Sequence, residues 1–182
     1  MGRFRKSATP LALDSDRHAA AIENAWKIHG MLADWTGKVD AKASFALAVE
    51  SAVVATIVTL AGDKGRLSHL TGAWQNGFYR SGLVLLLAAV IAVITVVVPQ
   101  LRSKKLAKER SENFIYFGHL RHWNSDELCV ALERKDILPV LSRQLVHMSN
   151  VAWRKHRLLQ VSLLLSVLGT ALVGLAALMT NH

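Results

Sequence analysis

Gly82-Leu-Val-Leu-Leu-Leu-Ala-Ala-Val-Ile-Ala-Val-Ile-Thr-Val-Val-Val98 is a run of 17 residues whose only polar side-chain group is the Thr95 hydroxyl. Two further runs flank it. Ala43–Ala61 holds 19 residues interrupted by a single charge, Glu50, and Leu158–Met179 holds 22 without a charge, Gln160 lying near its start. A helix that crosses a bilayer needs about 20 such residues, within a range of about 17–25. The three runs therefore predict three transmembrane helices. Burying three helices that are apolar all round inside a soluble core would need far more covering material than 182 residues provide. No period-2 strand pattern, internal repeat or low-complexity tract is found. The expected fold class is an all-α membrane protein. Its three transmembrane helices carry a helical cytoplasmic domain, built from the N-terminal helix and the loop between the second and third spans.

Outward from these runs the chain is strongly basic. It is 52% hydrophobic and only 19% charged, yet its net charge is +9, so apolar and basic residues must be segregated along it. This balance excludes a disordered or collagen-like chain, and a single cysteine, Cys129, excludes an intrachain disulfide. Segment 99–157 carries twelve Lys/Arg against six Asp/Glu, whereas 62–80 carries three against one. Arg102, Lys104, Lys105, Lys108 and Arg110 follow the second span, and Arg154, Lys155 and Arg157 precede the third. Basic residues near span ends are retained on the cytoplasmic side. The N-terminus and 99–157 are thus expected on the cytoplasmic side, with 62–81 and the C-terminus outside. Topology and anionic headgroups account for the surplus charge, so no nucleic-acid partner is expected. The first span begins too late and runs too long for a cleaved secretory signal, and reads as a signal anchor.

These readings divide the chain as follows. Residues 1–13 form a mobile basic arm and 14–40 a cytoplasmic amphipathic helix. The first span is 41–61, the outer loop 62–81 and the second span 82–98. Segment 99–157 is a cytoplasmic helical region, 158–179 the third span and 180–182 an outer tail. The amphipathic helix and the first span can form one rod, with Gly37 as its joint. In the outer loop Leu67, Leu70 and Trp74 share a helical face. Pro99 closes the second span, and a basic helix is expected from Leu101 to about Asn113. Ser125 is expected to cap one cytoplasmic helix and Asp136-Ile-Leu-Pro139 to start the next, which continues unbroken into the membrane.

Few residues carry chemistry. Glu50 is a carboxylate within a span, too short to reach either interface. It is either a pore-facing or proton-sensing group, or a neutral acid bonded to a neighbouring helix. Ser44, Ala48, Ala52 and Thr56 recur every fourth residue on the first span, as do Ser162, Ser166, Thr170 and Gly174 on the third. Such stripes let helices pack closely in lipid. If the first stripe packs within the subunit, Glu50 faces another subunit or a central cavity. Three helices cannot enclose a wide polar pore, so conduction would require a homo-oligomer. His119, His122, His147 and His156 lack the converging partners of a metal site, so no metal is expected. No nucleophile, phosphate-loop or paired-carboxylate signature is present, and no enzyme activity is expected.

Trp35-Thr-Gly-Lys-Val-Asp40-Ala-Lys42-Ala-Ser44-Phe45 carries an Asp-x-Lys-Ala-Ser element at the start of a span. Tyr116-Phe117-Gly118-His119, Leu132-Glu-Arg-Lys135 and Gln144-Leu-Val-His-Met-Ser149 follow in order, then a basic turn into the last span. Together these resemble the transmembrane effectors of Pycsar anti-phage defence, over roughly residues 20–180. The resemblance implies a membrane effector that responds to a cyclic pyrimidine mononucleotide, cyclic UMP or cyclic CMP, made by a partner pyrimidine nucleotide cyclase. It then impairs the inner membrane. No other cofactor is implied. A cyclic phosphate needs Arg or Lys, and a pyrimidine needs a stacking ring and hydrogen bonds to its edge. Tyr116, His119, Arg121, Trp123 and Arg143 are the candidate providers. Asp40, Lys42 and Ser44 lie at the membrane boundary, with a coupling role or an internal network as equal readings. The alternatives are a membrane scaffold or receptor subunit that binds a protein partner, and a small oligomeric cation channel.

Overall fold

The computed structural model describes residues 10–62, 67, 72–99 and 109–179, with backbone alone for 10–13. The expected basic helix after Pro99 (through Lys108), most of the basic arm, Leu70 of the outer loop and the outer tail lie outside the described residues. Among the described residues every regular element is helical. They are α1 (Pro10–Ala61), α2 (Ala73–Val97), a 3-10 turn (Arg110–Glu112), α3 (Phe117–Leu120), α4 (Ser125–Arg134) and α5 (Ile137–Leu178). Helices α1, α2 and α5 are each long and apolar enough to cross a membrane. The chain divides into two compact units, 1–34 with 100–150, and 35–99 with 151–182.

The second unit is a three-helix bundle. Its buried positions on α1 are Val39, Ala43, Ala46, Glu50 and Ile57, with Val53 partly buried. On α2 they are Gly82, Leu86, Ala89, Val93 and Val96. On α5 they include Lys155, Leu159, Ser162, Gly169, Val173 and Ala176. Val39 and Ala43 cluster with Val93, Val96 and Leu159, while Ile57 clusters with Leu86 and Val173. Helices α1 and α5 therefore run parallel, with α2 antiparallel to both. Spacings of three and four alternate along each helix, the seam of helices packed at small angles.

This seam leaves the small-residue stripe of α1 outside the contacts within the subunit. Ser44, Ala48, Ala52 and Thr56 are exposed, and the Ser44 and Thr56 hydroxyls bond back to the carbonyls of Asp40 and Ala52. On α5 only Ser162 of the expected stripe is buried. A strict repeat of four residues drifts by about 40° per step, at about 100° per residue, and winds off a contact face. Alternating three and four stays on it.

Small residues still set the closest approach. A Cβ added at Gly82 would lie 2.8 Å from the Gly169 carbonyl oxygen, and one at Gly169 would lie 2.8 Å from the Gly82 carbonyl oxygen. Helices α2 and α5 thus touch backbone to backbone, the contact that favours association where lipid removes the hydrophobic drive. Trp35 and Trp153 are exposed at one end of the bundle and Trp74 at the other. From Trp35 to Ala61 helix α1 is about 39 Å long at about 1.5 Å per residue. That length approaches the about 40–45 Å of a bilayer with its headgroups, where Trp rings collect.

Helix α1 passes Gly37 without a break and begins at Pro10 rather than at Asp14, since proline suits a first helical turn. Helix α2 begins at Ala73, inside the expected outer loop, and ends before Pro99.

The first unit gathers the other elements about Ala25, Leu32, Phe114, Ala131, Val140 and Leu141. Asn124, not Ser125, caps α4: its side chain accepts from the Asp126 amide at 3.1 Å. Both residue types cap well, and the backbone turns from extended to helical at Asn124. Asp136 starts α5 as expected, accepting from the Leu138 amide at 2.9 Å.

A valine at Gly169 would meet backbone on α2, whereas one at Gly174 would meet open space. Gly169→Val should cost about 1–3 kcal/mol and Gly174→Val close to nothing. Thermal unfolding of the purified protein in detergent checks this.

Candidate functional site

The first unit contains a cleft of about 350 Å³. Its lining comes from two stretches. The turn around α3 supplies Glu109, Glu112, Asn113, Tyr116 and His119, and the start of α5 supplies Arg143, Gln144 and His147. Arg143, Gln144 and His147 share one helical face by their spacing. The volume is at the small end of ligand pockets, which run about 300–1,000 Å³.

Several contacts hold these groups in place. The Arg143 guanidinium donates to the Glu112 carbonyl at 2.8 Å, which joins α5 to the turn. His119 is buried, its Nε2 is 3.8 Å from Glu109 Oε2, and its ring meets Tyr116 edge-on at 5.6 Å. Asn113 donates to the Glu109 carbonyl at 3.1 Å, which leaves its amide oxygen for other bonds. Gly118 makes room for the Tyr116 ring, because a Cβ there would come within 2.3 Å of it. The cleft therefore offers a guanidinium, an aromatic ring, two imidazoles, two amides and two carboxylates. Such a set can bind an anionic group and read the polar edge of a planar ring.

Tyr116, His119 and Arg143 are brought together here, and Arg121 and Trp123 are not. Arg121 is exposed and donates to the neighbouring His122 ring at 3.1 Å. Trp123 belongs to the packing of the unit. Its ring meets Phe114 edge-on at 6.3 Å, its Nε1 donates to the Asn113 carbonyl at 3.3 Å, and Lys135 lies 5.9 Å above it. Asn113, Gln144 and the two glutamates are not legible as site residues in the sequence. The available signal is the polar face of α5 that opens at Arg143.

In the second unit Asp40 pairs with a residue that sequence reasoning missed. Asp40 Oδ1 is 2.6 Å from the Lys155 ammonium, which is only 7% exposed. Ser44 bonds the Asp40 carbonyl, so those two are linked, whereas Lys42 makes no hydrogen bond or ion pair among the described residues. The sequence signal for Lys155 is a cation at a buried position of the three-and-four seam. Deeper in the bundle, Glu50 is 2% exposed and turned inward. Its Oε1 is 2.6 Å from Ser162 Oγ, which lies 3.0 Å from the Ala89 carbonyl, so one polar cluster links all three helices. Facing a second subunit followed only from packing of the α1 stripe, and that stripe is exposed.

A family model described as the Pycsar effector protein domain matches residues 24–180, which include both the cleft and the bundle. No curated protein and no solved structure matches the chain.

Lys155 is buried whereas the Asp40 side chain is 41% exposed, so removing the acid strands a buried charge and removing the lysine leaves a carboxylate that reaches water. Asp40→Asn should therefore lower stability by on the order of 2 kcal/mol, and Lys155→Met by clearly less. Melting of both variants in the same detergent decides the order.

Proposed function

Because the chain belongs to the Pycsar effector family, a transmembrane effector family of anti-phage defence linked to a cyclase, we propose that it is gated by a cyclic pyrimidine mononucleotide bound in the cleft. The observation that carries this reading is the convergence of Arg143, Tyr116 and the Asn113 and Gln144 amides on one cleft. Arg143 pairs with the cyclic phosphate, Tyr116 stacks on the base, and the amides bond its edge. Cyclic UMP and cyclic CMP are the ligands to compare.

The cleft unit is cytoplasmic in this reading, where a cyclase delivers its product and where the flanking Lys/Arg are retained. Helices α1 and α5 each continue from the cleft unit into the bundle. Ligand that favours one arrangement of α5 against the turn shifts the population of that arrangement. The shift passes along α5 to Lys155 and the spans. One bundle has its polar groups tied inward, so membrane damage requires a homo-oligomer.

Arg143→Ala should weaken binding of the cyclic nucleotide about tenfold or more, the loss of one charge-assisted contact. Arg121→Ala should leave it unchanged. Calorimetry on the detergent-solubilised full chain measures both, and dye release from liposomes reports the membrane effect. Absence of binding and of ligand-dependent release would overturn the proposal.

A further inference from the structure

The cleft of the first unit holds a charge balance that an anionic ligand upsets. Its lining groups of fixed charge are Glu109 and Glu112 from the turn and Arg143 from α5, which sum to one negative charge. The two histidines of the lining, His119 and His147, add to this sum only when protonated. Tyr116 and the Asn113 and Gln144 amides are neutral, and none of the described residues of α1 or α4 lines the cleft. Arg110, next to Glu109 in the chain, is engaged by the His122 carbonyl and by Glu127 at 3.7 Å. A cyclic phosphodiester therefore brings its negative charge to a guanidinium that two carboxylates already outnumber. Such an excess of like charge costs more in a partly closed site than in open water.

Of the two histidines, His119 is placed to correct the balance. It is 4% exposed, and its Nε2 is 3.8 Å from Glu109 Oε2. Among the described residues His147 forms no such pair with a carboxylate. A separation of 3.8 Å is too long for a hydrogen bond, which runs about 2.7–3.2 Å between nitrogen and oxygen. It is an ion-pair distance, and it becomes attractive once the imidazole takes a proton. Burial opposes that charge in the empty cleft. An arriving anion adds a second negative group beside the ring and tips it to the charged form.

We propose that binding at this cleft is proton-linked: an anionic ligand enters together with one proton, which His119 takes from solvent and holds against Glu109. The proposal rests on the cyclic-nucleotide reading of the cleft and adds the regulation of that site. The complex gains one anion and one proton, and no covalent bond of the ligand changes. Because the bound anion holds the proton on His119 more tightly, affinity is greatest at low pH. It falls as pH rises through the range in which the complex releases that proton. Where membrane damage admits protons to the compartment of the cleft, binding tightens, so the damage reinforces its own trigger.

The test is calorimetry of the full chain in detergent with cyclic CMP and cyclic UMP. Titrations near pH 7 in PIPES and in Tris, buffers of unlike ionisation enthalpy, should differ in heat by the uptake of about 0.5–1 proton per nucleotide bound. Affinity should rise about tenfold or more from about pH 8 to about pH 6. His119→Gln should flatten this profile and His147→Gln should keep it. Glu109→Gln keeps the ring and removes a negative charge. It should bind more tightly than the native chain at about pH 8 and show a shallower profile, a gain that a damaged fold does not produce. Nucleotide binding with equal heats in both buffers and a flat profile would overturn the proton linkage and leave the cleft reading standing. A profile lost in His147→Gln and kept in His119→Gln would overturn the assignment to His119. No binding of either nucleotide at any pH would overturn both readings.

Discussion

A carboxyl group in the middle of an apolar helix must find its polar partners within the protein, because hydrocarbon offers none. Glu50 finds Ser162 on α5, and Ser162 in turn reaches the backbone of α2 at Ala89. That demand sets the rotation of α1: Glu50 must turn inward, so Val39, Ala43, Ala46, Val53 and Ile57 turn inward with it. The rotation of α5 follows from Ser162 and brings Gly169 onto α2 at Gly82, where only glycine admits the contact. Most of the bundle's geometry can be traced to this cluster and this close approach.

The bundle and the cleft unit use polar groups differently. In the bundle, the buried polar side chains are few and Glu50 and Ser162 are tied to each other, while exposed serine and threonine hydroxyls bond back to their own helix. In the cleft unit, many polar groups gather at one surface, and several cations donate to backbone carbonyls, Arg110 also pairing with Glu127 at 3.7 Å. Arg143 bonds the Glu112 carbonyl, Arg110 that of His122 and Lys135 that of Ser111. A guanidinium held by a carbonyl keeps its full charge for an incoming anion. An arginine neutralised by a carboxylate would not. The arrangement therefore suits a site that is built before its ligand arrives.

The resemblance seen in the short motifs agrees with the family match over residues 24–180. Those motifs acquire distinct physical roles. Asp40 anchors a buried lysine, Ser44 bonds the Asp40 carbonyl, and Gly118 seats the Tyr116 ring. Gln144 and His147 face the cleft from the same side of α5 as Arg143. Lys42, by contrast, is exposed on α1.

Three spans, an all-helical chain and the continuity of α1 and α5 were legible in the sequence, because helix length and hydropathy are local properties set by the thickness of a bilayer. The start of α5 at Asp136 was legible for the same reason: a cap acts over two residues. Which face of each helix packs was not legible. Almost every position of a span is apolar, so hydrophobicity carries no direction, and the repeat of small residues at four-residue spacing does not lie on the side of α1 that packs within the subunit. Only the tertiary structure decided that Glu50 turns inward, that Lys155 meets Asp40 and that Arg143, but not Arg121 or Trp123, reaches the cleft. Each of these depends on residues distant in the chain meeting across helices, and a buried polar atom reveals its direction only when its partner is in view.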